Sequence, residues 1–177
     1  MRFIRAWVGA AAAAFLAGSA FAQGIDHSRF HRSTLDALSA NLATAAAADK
    51  RAVPLKVGDK IDASLSPWVF EASYAGATRP IGGEDAAALR GSLKAAHQEP
   101  LAALYEQSML FRVNGKDLWL PVEAAQVPYF AKELKAGDNV DLYVLLSGGV
   151  LEKAGWNWQF LVVDFLKRVD SPAGGKP

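Results

Sequence analysis

The chain has 177 residues, 51% of them hydrophobic and 21% charged, with 15 glycines and no cysteine. This composition excludes a disordered chain, a collagen-like chain and a disulfide-stapled scaffold. Without Arg2 and Arg5 of the N-terminal segment, the 19 basic residues become 17 against 18 acidic residues. Such a balance lacks the positive field that gathers nucleic acid or an anionic membrane surface, so we expect no nucleic-acid partner.

The first 22 residues have the pattern of a cleavable signal peptide. A basic start ending at Arg5 precedes an apolar run over 6–18, and Ala20 and Ala22 supply the small residues that a signal peptidase recognises. The apolar run is well short of the roughly 20 residues that span a bilayer. We therefore predict cleavage after Ala22, a periplasmic location and no integral membrane segment after cleavage. An uncleaved anchor is the alternative.

The next segment combines a polar lead with a helix. Residues 23–32 are polar and are predicted to be mobile, whereas leucines recur at helical spacing from Leu35 to Leu42 and Pro54 ends the pattern. The predicted organisation is a signal peptide over 1–22, a mobile lead and N-terminal helix over 23–54, a β-rich globular domain over 55–169 and a flexible tail over 170–177.

Beyond Pro54 the hydrophobic period changes to two, which is typical of strands. Two strands are predicted, one over 61–65 and one over 68–74, followed by a loop over 76–83 that is rich in glycine. Helical spacing returns over 84–97 and predicts an inserted helix, after which Pro100 can open a further turn.

The clearest local signal is a hairpin over 109–120. Asn114-Gly115 is the favoured pair for a two-residue type I′ turn, because both positions need positive φ. That turn predicts Arg112 opposite Asp117 and Phe111 opposite Leu118, with apolar side chains on one face and the charge pair on the other.

The remaining elements complete the fold prediction. A short helix over 128–134, a strand over 140–146 broken by Ser147-Gly148-Gly149, and a last strand over 156–166 follow from the spacing of apolar residues. At least five strands with inserted helices indicate a small α+β domain. We predict a partly open antiparallel β-barrel, OB-like or SH3-like, with an N-terminal helix and an inserted helix. A two-layer sandwich of helix on sheet is the alternative.

An internal echo links two parts of the chain. Residues 55–62 resemble residues 134–141, and each copy has a Gly-Asp pair before an alternating strand. Glycine takes positive φ and aspartate bonds nearby amides, so a shared turn explains the match, and duplication of a half-domain is the alternative.

The inventory for catalysis is poor. Cysteine chemistry is excluded, and only three histidines are present. His27 and His31 have the i, i+4 spacing that could suit a metal, but we favour solvated, unpartnered side chains, and His97 is interpreted as a partner of a helix C-terminus. Phosphate-loop, dinucleotide and HExxH motifs are absent from the sequence. We predict no catalytic residue, metal or cofactor.

Carboxylates supply the alternative function. Asp59, Asp62, Asp138 and Asp141 recur at the two Gly-Asp turns, and a carboxylate-dependent hydrolase of envelope glycan would need two acids in one cleft. Asp164 interrupts the apolar run of the last strand, so it needs a partner or an outward position.

Aromatic residues are the better candidates for recognition. Trp119, Tyr129 and Trp156 are the predicted ligand-binding residues, because aromatic rings near turns can stack on a sugar or a peptide. Trp158 shares a face with Trp156 but adjoins the apolar run, so it is predicted to be core. The favoured function is an exported, non-enzymatic binding or interaction module, with envelope proteins and envelope glycans as the candidate partners.

Overall fold

The computed structural model describes residues 3–5, 25–48, 60–153 and 155–168. Their strands are β1 Phe3–Arg5, β2 His31–Arg32, β3 Lys60–Pro80, β4 Tyr105–Val113, β5 Lys116–Glu123, β6 Asn139–Glu152 and β7 Gly155–Lys167. The helices are α1 Leu35–Ala48, α2 Gly83–Ala95 and α3 Val127–Glu133, with short 3-10 helices at His27–Arg29 and Glu99–Leu104.

Strands β3, β4, β5, β7 and β6 follow one another around a closed barrel, because β6 also pairs with β3. Four of the five junctions are antiparallel, and the contact of β5 with β7 is parallel. The order, together with α3 between β5 and β6, is that of a small OB-like barrel. The predicted fold class, a small OB-like barrel in an α+β domain, is confirmed, and the two-layer alternative is wrong. The ring of strands is closed rather than partly open, and it is mixed rather than purely antiparallel because β5 and β7 pair in parallel.

The hairpin of β4 and β5 has the predicted turn and register. Asn114 and Gly115 have φ values of 50° and 75°, and Arg112 lies opposite Asp117. The Nε of Arg112 donates to Oδ1 of Asp117 over 2.8 Å, so the charge pair forms on the exposed face while Phe111 is fully buried on the other.

Strand β3 is longer than the sequence pattern indicates. The two predicted strands are one, and the predicted loop over 76–83 is wrong up to Pro80. Register shifts near Leu65 and Gly76, both at positive φ, bend the strand so that it pairs with β6 first and β4 later. A Cβ on Gly76 would lie 2.9 Å from that of Ala136, so this bend also requires the close approach that glycine permits.

Strand β6 does not end at Ser147-Gly148-Gly149, contrary to the prediction. It continues to Glu152, and Gly149 pairs with Trp158 of β7. A Cβ on Gly149 would lie 2.5 Å from Cε3 of Trp158. Because Gly149 has no Cβ, the indole ring of Trp158 can pack directly on its backbone. The strand continues through this glycine because it pairs with β7.

Two apolar clusters hold the barrel together. The first fills the interior and includes Phe111, Leu142 and Phe160, with Leu38 of α1 and Phe130 of α3 packed into it. The second lies on the outer face of β3, β6 and β7, where α2, the Glu99–Leu104 turn and Phe30 cover it. Because this outer face is covered, β6 is buried on both sides.

The segment before α1 packs against the barrel, although the sequence predicts a mobile lead. Phe30 is buried in the outer cluster, and β2 pairs in parallel with Trp68 and Val69 of β3. The side-chain hydroxyl oxygen Oγ1 of Thr34 accepts from the Ala37 N–H over 3.1 Å and caps α1. None of the described helices is long and apolar enough to cross a membrane.

Candidate functional site

A cavity of about 150 Å³ lies where α2 covers the junction of β5 and β7, and we call it the seam cavity. Its wall includes residues of both apolar clusters: Leu120 and Phe160 of the barrel interior, and Leu89 and Leu161 of the outer cluster. The cavity therefore opens at the place where the interior of the barrel and its helical cover meet.

The seam cavity exists because β5 and β7 barely pair. Within the described residues, Val122 opposite Val162 is the single pair in the ladder that joins these strands. Pro121 comes directly before Val122 and has no N–H, so the parallel ladder cannot continue past it. The two strands separate beyond this point, and residues of α2 line one side of the space between them.

Trp119 forms the exposed aromatic rim of the seam cavity. It is 36% exposed, and the guanidinium carbon of Arg79 lies 4.5 Å from the centre of its ring. Arg79 also forms an ion pair with Asp85 of α2, a second residue of the cavity wall. The charges at this rim are thus neutralised, and the indole is held in place by a cation–π contact.

Trp158 forms the inner aromatic wall. The ring is half-buried against the interior cluster and sits over Gly149. The prediction of Trp158 as core is therefore confirmed in part, since the same residue also lines the cavity.

Neutral polar groups complete the lining. The hydroxyl of Ser147 donates to the Gln159 carbonyl over 3.0 Å and lies 3.3 Å from the hydroxyl of Ser92. Ser108 of β4 and Asn157 of β7 add a further hydroxyl and an amide. Asp85 is the charged residue among those that line the cavity, and its charge is balanced by the ion pair with Arg79 beside the cavity.

The predicted recognition residues do not form one site. Trp119 lines the seam cavity, whereas Tyr129 is 52% exposed on α3 and is not part of the cavity wall. Trp156 lies opposite Leu151 in the β6–β7 hairpin, and its side chain lies outside the described residues. Sequence reasoning missed Arg79 and Asp85, because their distance from Trp119 along the chain hides a contact created by β3–β4–β5 pairing.

The carboxylates of the hydrolase alternative are in ion pairs where they are described. Asp138 accepts from Lys167 over 2.6 Å and from the Lys135 N–H over 2.8 Å, and these bonds lower the pKa of its carboxyl. Asp141 forms an ion pair with Arg32.

The second Gly-Asp turn has the predicted form, because Gly137 has a φ of 93°. The first Gly-Asp turn, which contains Asp59, lies outside the described residues, and so does the side chain of Asp62.

A second polar cluster surrounds Asp164. Nε2 of His27 lies 2.8 Å from Oδ2 of Asp164, and the His27 ring stacks on Tyr143 with centroids 4.1 Å apart. His31 lies beside Trp68, with ring centroids 5.9 Å apart. The prediction of solvated, unpartnered side chains is wrong for His27, because the lead packs on the barrel. His31 is exposed, as predicted, although its ring lies near Trp68. Asp164 has the structural partner that its position in an apolar run requires.

Glu123 is the buried acid next to this cluster. Only 5% of the residue is exposed; burial, and then the charge of nearby Asp164, raises the pKa of its carboxyl. Burial also raises the pKa of the Tyr105 hydroxyl, which lies opposite Glu123 in the ladder. Within the described part of the chain, no group of three or more His, Asp or Glu side chains could hold a metal ion.

Comparison with known proteins gives no relative: no family model, no curated protein and no solved structure matches the chain. The candidate site therefore rests on the geometry of this chain.

Proposed function

We propose that this protein is an exported, non-enzymatic binding module of the periplasm that holds its ligand in the seam cavity. The observation that carries the proposal is the cavity itself, with the exposed ring of Trp119 at its rim and Trp158 at its inner wall. Ligand sites are usually concave and combine apolar and aromatic walls with polar groups that fix the orientation of the ligand, and the seam cavity has both kinds of residue.

The position of the cavity in the fold supports the proposal by analogy. OB-like barrels bind oligomers on the face of their second and third strands, next to the loop that joins the first two. Here β5 is the third barrel strand, and α2 lies in the connection between the first two, β3 and β4. Fold analogy supports the place of binding and leaves the ligand to the chemistry of the site.

The hydrolase alternative has less support. Asp138 and Asp141, two of the four acids on which it depends, are occupied by Lys167 and Arg32. An acid in such an ion pair is stabilised in its charged form, which suits a structural role better than proton donation.

The test compares two exposed aromatic residues. The protein is expressed with its own N-terminal segment and a C-terminal tag, and the tagged protein is used to pull down ligands from envelope extract. The bound protein and glycan are then quantified by mass spectrometry. Trp119→Ala is expected to reduce the captured ligand by about tenfold or more, equivalent to about 1.4 kcal/mol. The matched control, Tyr129→Ala, removes an exposed aromatic ring that is not part of the cavity wall.

Melting curves of both variants show whether each remains folded. Equal capture by wild type and Trp119→Ala would contradict the site. New reducing ends on envelope glycan incubated with the pure protein would favour the hydrolase instead.

A further inference from the structure

We infer that the ligand is an extended polypeptide segment that pairs with the free edge of β5 and inserts one uncharged, Phe- or Leu-sized side chain into the seam cavity. This inference rests on the proposed function and specifies the class of ligand. Three features carry it: the direction of backbone groups on β5, the size of the cavity and its charge.

The register of the hairpin determines which backbone groups of β5 are free. A type I′ turn closes with a hydrogen bond between its flanking residues, so Val113 and Lys116 are a hydrogen-bonded pair. Such pairs alternate along an antiparallel ladder. The N–H and C=O groups of Asp117 and Trp119 therefore point away from β4 and toward the seam.

These groups have no strand partner within the described residues. Strand β7 pairs with β5 only at Val122, and Pro121 cannot extend the ladder because it has no N–H. Two consecutive edge positions thus offer donors and acceptors in the geometry of a strand, beside the cavity that Trp119 and Leu120 line. Extended peptides bind such edges by adding a strand, with alternate side chains entering pockets.

The size of the cavity favours a single side chain over a string of sugar rings. A space of about 150 Å³ is comparable to the engineered apolar cavity that accepts a benzene molecule. One phenyl or branched aliphatic group fills such a space. Further residues of a peptide would lie along β5 outside the cavity.

The charges at the seam favour an uncharged anchor. Asp85 is paired with Arg79 at the rim, and Asp117 is paired with Arg112 on the hairpin. A charged side chain placed in the cavity would lose water without gaining an unpaired opposite charge, which costs free energy. An uncharged side chain avoids this cost of burying an unpaired charge.

The test uses a phage-displayed library of random peptides, selected on the wild-type protein and counter-selected on Trp119→Ala. A synthetic peptide recovered in this way is then methylated on its backbone nitrogens, one position at a time. Only alternate N–H groups of an added strand face β5. Methylation is therefore expected to weaken binding by about tenfold at every second position and to have little effect between them.

Amide hydrogen exchange gives an independent readout on the protein. The amides of Asp117 and Trp119 are expected to exchange rapidly in the free protein and to become protected in the complex. The amides of Leu118 and Leu120, which already bond to β4, are expected to be protected in both states. A ligand held by side chains alone would not produce this alternation.

Each outcome separates the inference from the proposed function. A library that yields no Trp119-dependent peptide, protection of the Asp117 and Trp119 amides in the free protein, or methylation without alternation would overturn strand addition. A different outcome is that envelope glycan fragments bind to the wild type and not to Trp119→Ala, while no peptide binds. That result would support the proposed binding function and would contradict the inference that the ligand is a polypeptide. If neither probe bound, both would fail.

Discussion

The Nε2 of His27 lies 2.8 Å from Oδ2 of Asp164 and joins the start of the described lead to the last strand of the barrel. The ring of His27 also stacks on Tyr143 of β6. Asp164 further accepts from the Phe165 N–H over 2.8 Å. One imidazole therefore contacts two neighbouring strands, which explains how a polar segment is held against a sheet.

Replacing His27 with Ala is expected to lower the free energy of unfolding by about 1 kcal/mol, the usual net value of a partly buried hydrogen bond. Residues 25–32 should exchange their amide hydrogens faster. Urea unfolding and exchange measured by mass spectrometry check both effects. The control is His97→Asn, because His97 is exposed at φ 57° and Asn tolerates that conformation. Unchanged exchange over 25–32 would contradict the anchoring role.

We expect the raised pKa of Glu123 to make the protein less stable as the pH rises. Its ordinary pKa is 4.5, and burial with the nearby charge of Asp164 raises the pKa in the folded protein. Between the two pKa values the native state binds more protons than the unfolded chain, so the free energy of unfolding falls as the pH increases through this window. Glu123→Gln should remove that fall and gain stability relative to wild type above pH 4.5.

Asp117 provides a comparison for Glu123, because its pKa is shifted in the opposite direction. Arg112 lowers the pKa of Asp117 below 3.8, so this contribution is present above that value and is lost as the pH falls toward the folded-state pKa. Asp117→Asn should therefore be less stable than wild type near neutral pH. This difference in the free energy of unfolding should shrink as the pH falls below 3.8. Urea titrations at a series of pH values check both variants, and a parallel response of Glu123→Gln and Asp117→Asn would refute the assignment.

Gly149 provides a test of the inner cavity wall. An added Cβ would lie 2.5 Å from Cε3 and 2.8 Å from Cζ3 of Trp158, so Gly149→Ala must displace the ring, at a cost of about 1–3 kcal/mol. The control is Gly91→Ala in α2, where a Cβ meets nothing within 4 Å and the change should stabilise the helix by up to about 1 kcal/mol. Thermal melts and tryptophan emission report the outcome, and equal melting temperatures would show that the ring is not seated on the glycine.

We expect the N-terminal segment to be removed by a signal peptidase. Ala20 and Ala22 favour cleavage after Ala22, so mass spectrometry of the periplasmic fraction should find a chain that begins at Gln23. In the structure, Phe3–Arg5 pairs with Lys60–Asp62, and this pairing lies outside the closed ring of five strands. Cleavage would remove that strand and leave the barrel closed. Intact Met1 in the membrane fraction would contradict the prediction.

Local chemistry made several elements predictable from the sequence. Asn114-Gly115 specifies its turn because positive φ at both positions is a property of two residues. The helix α2 and its buried Leu89 and Leu93 follow from spacing within one segment. The Gly137-Asp138 turn likewise depends on a bond to the nearby Lys135 amide.

Only the tertiary structure decided where strands end and where the candidate site lies. Gly149 continues a strand because Trp158 of the neighbouring strand covers it, and His27 is held because Asp164 comes to it across the fold. The seam cavity arises because Pro121 stops a ladder whose partner strand is β7, about forty residues later in the chain. Turn and helix signals act over a few residues, whereas pairing and burial depend on residues that only folding brings together.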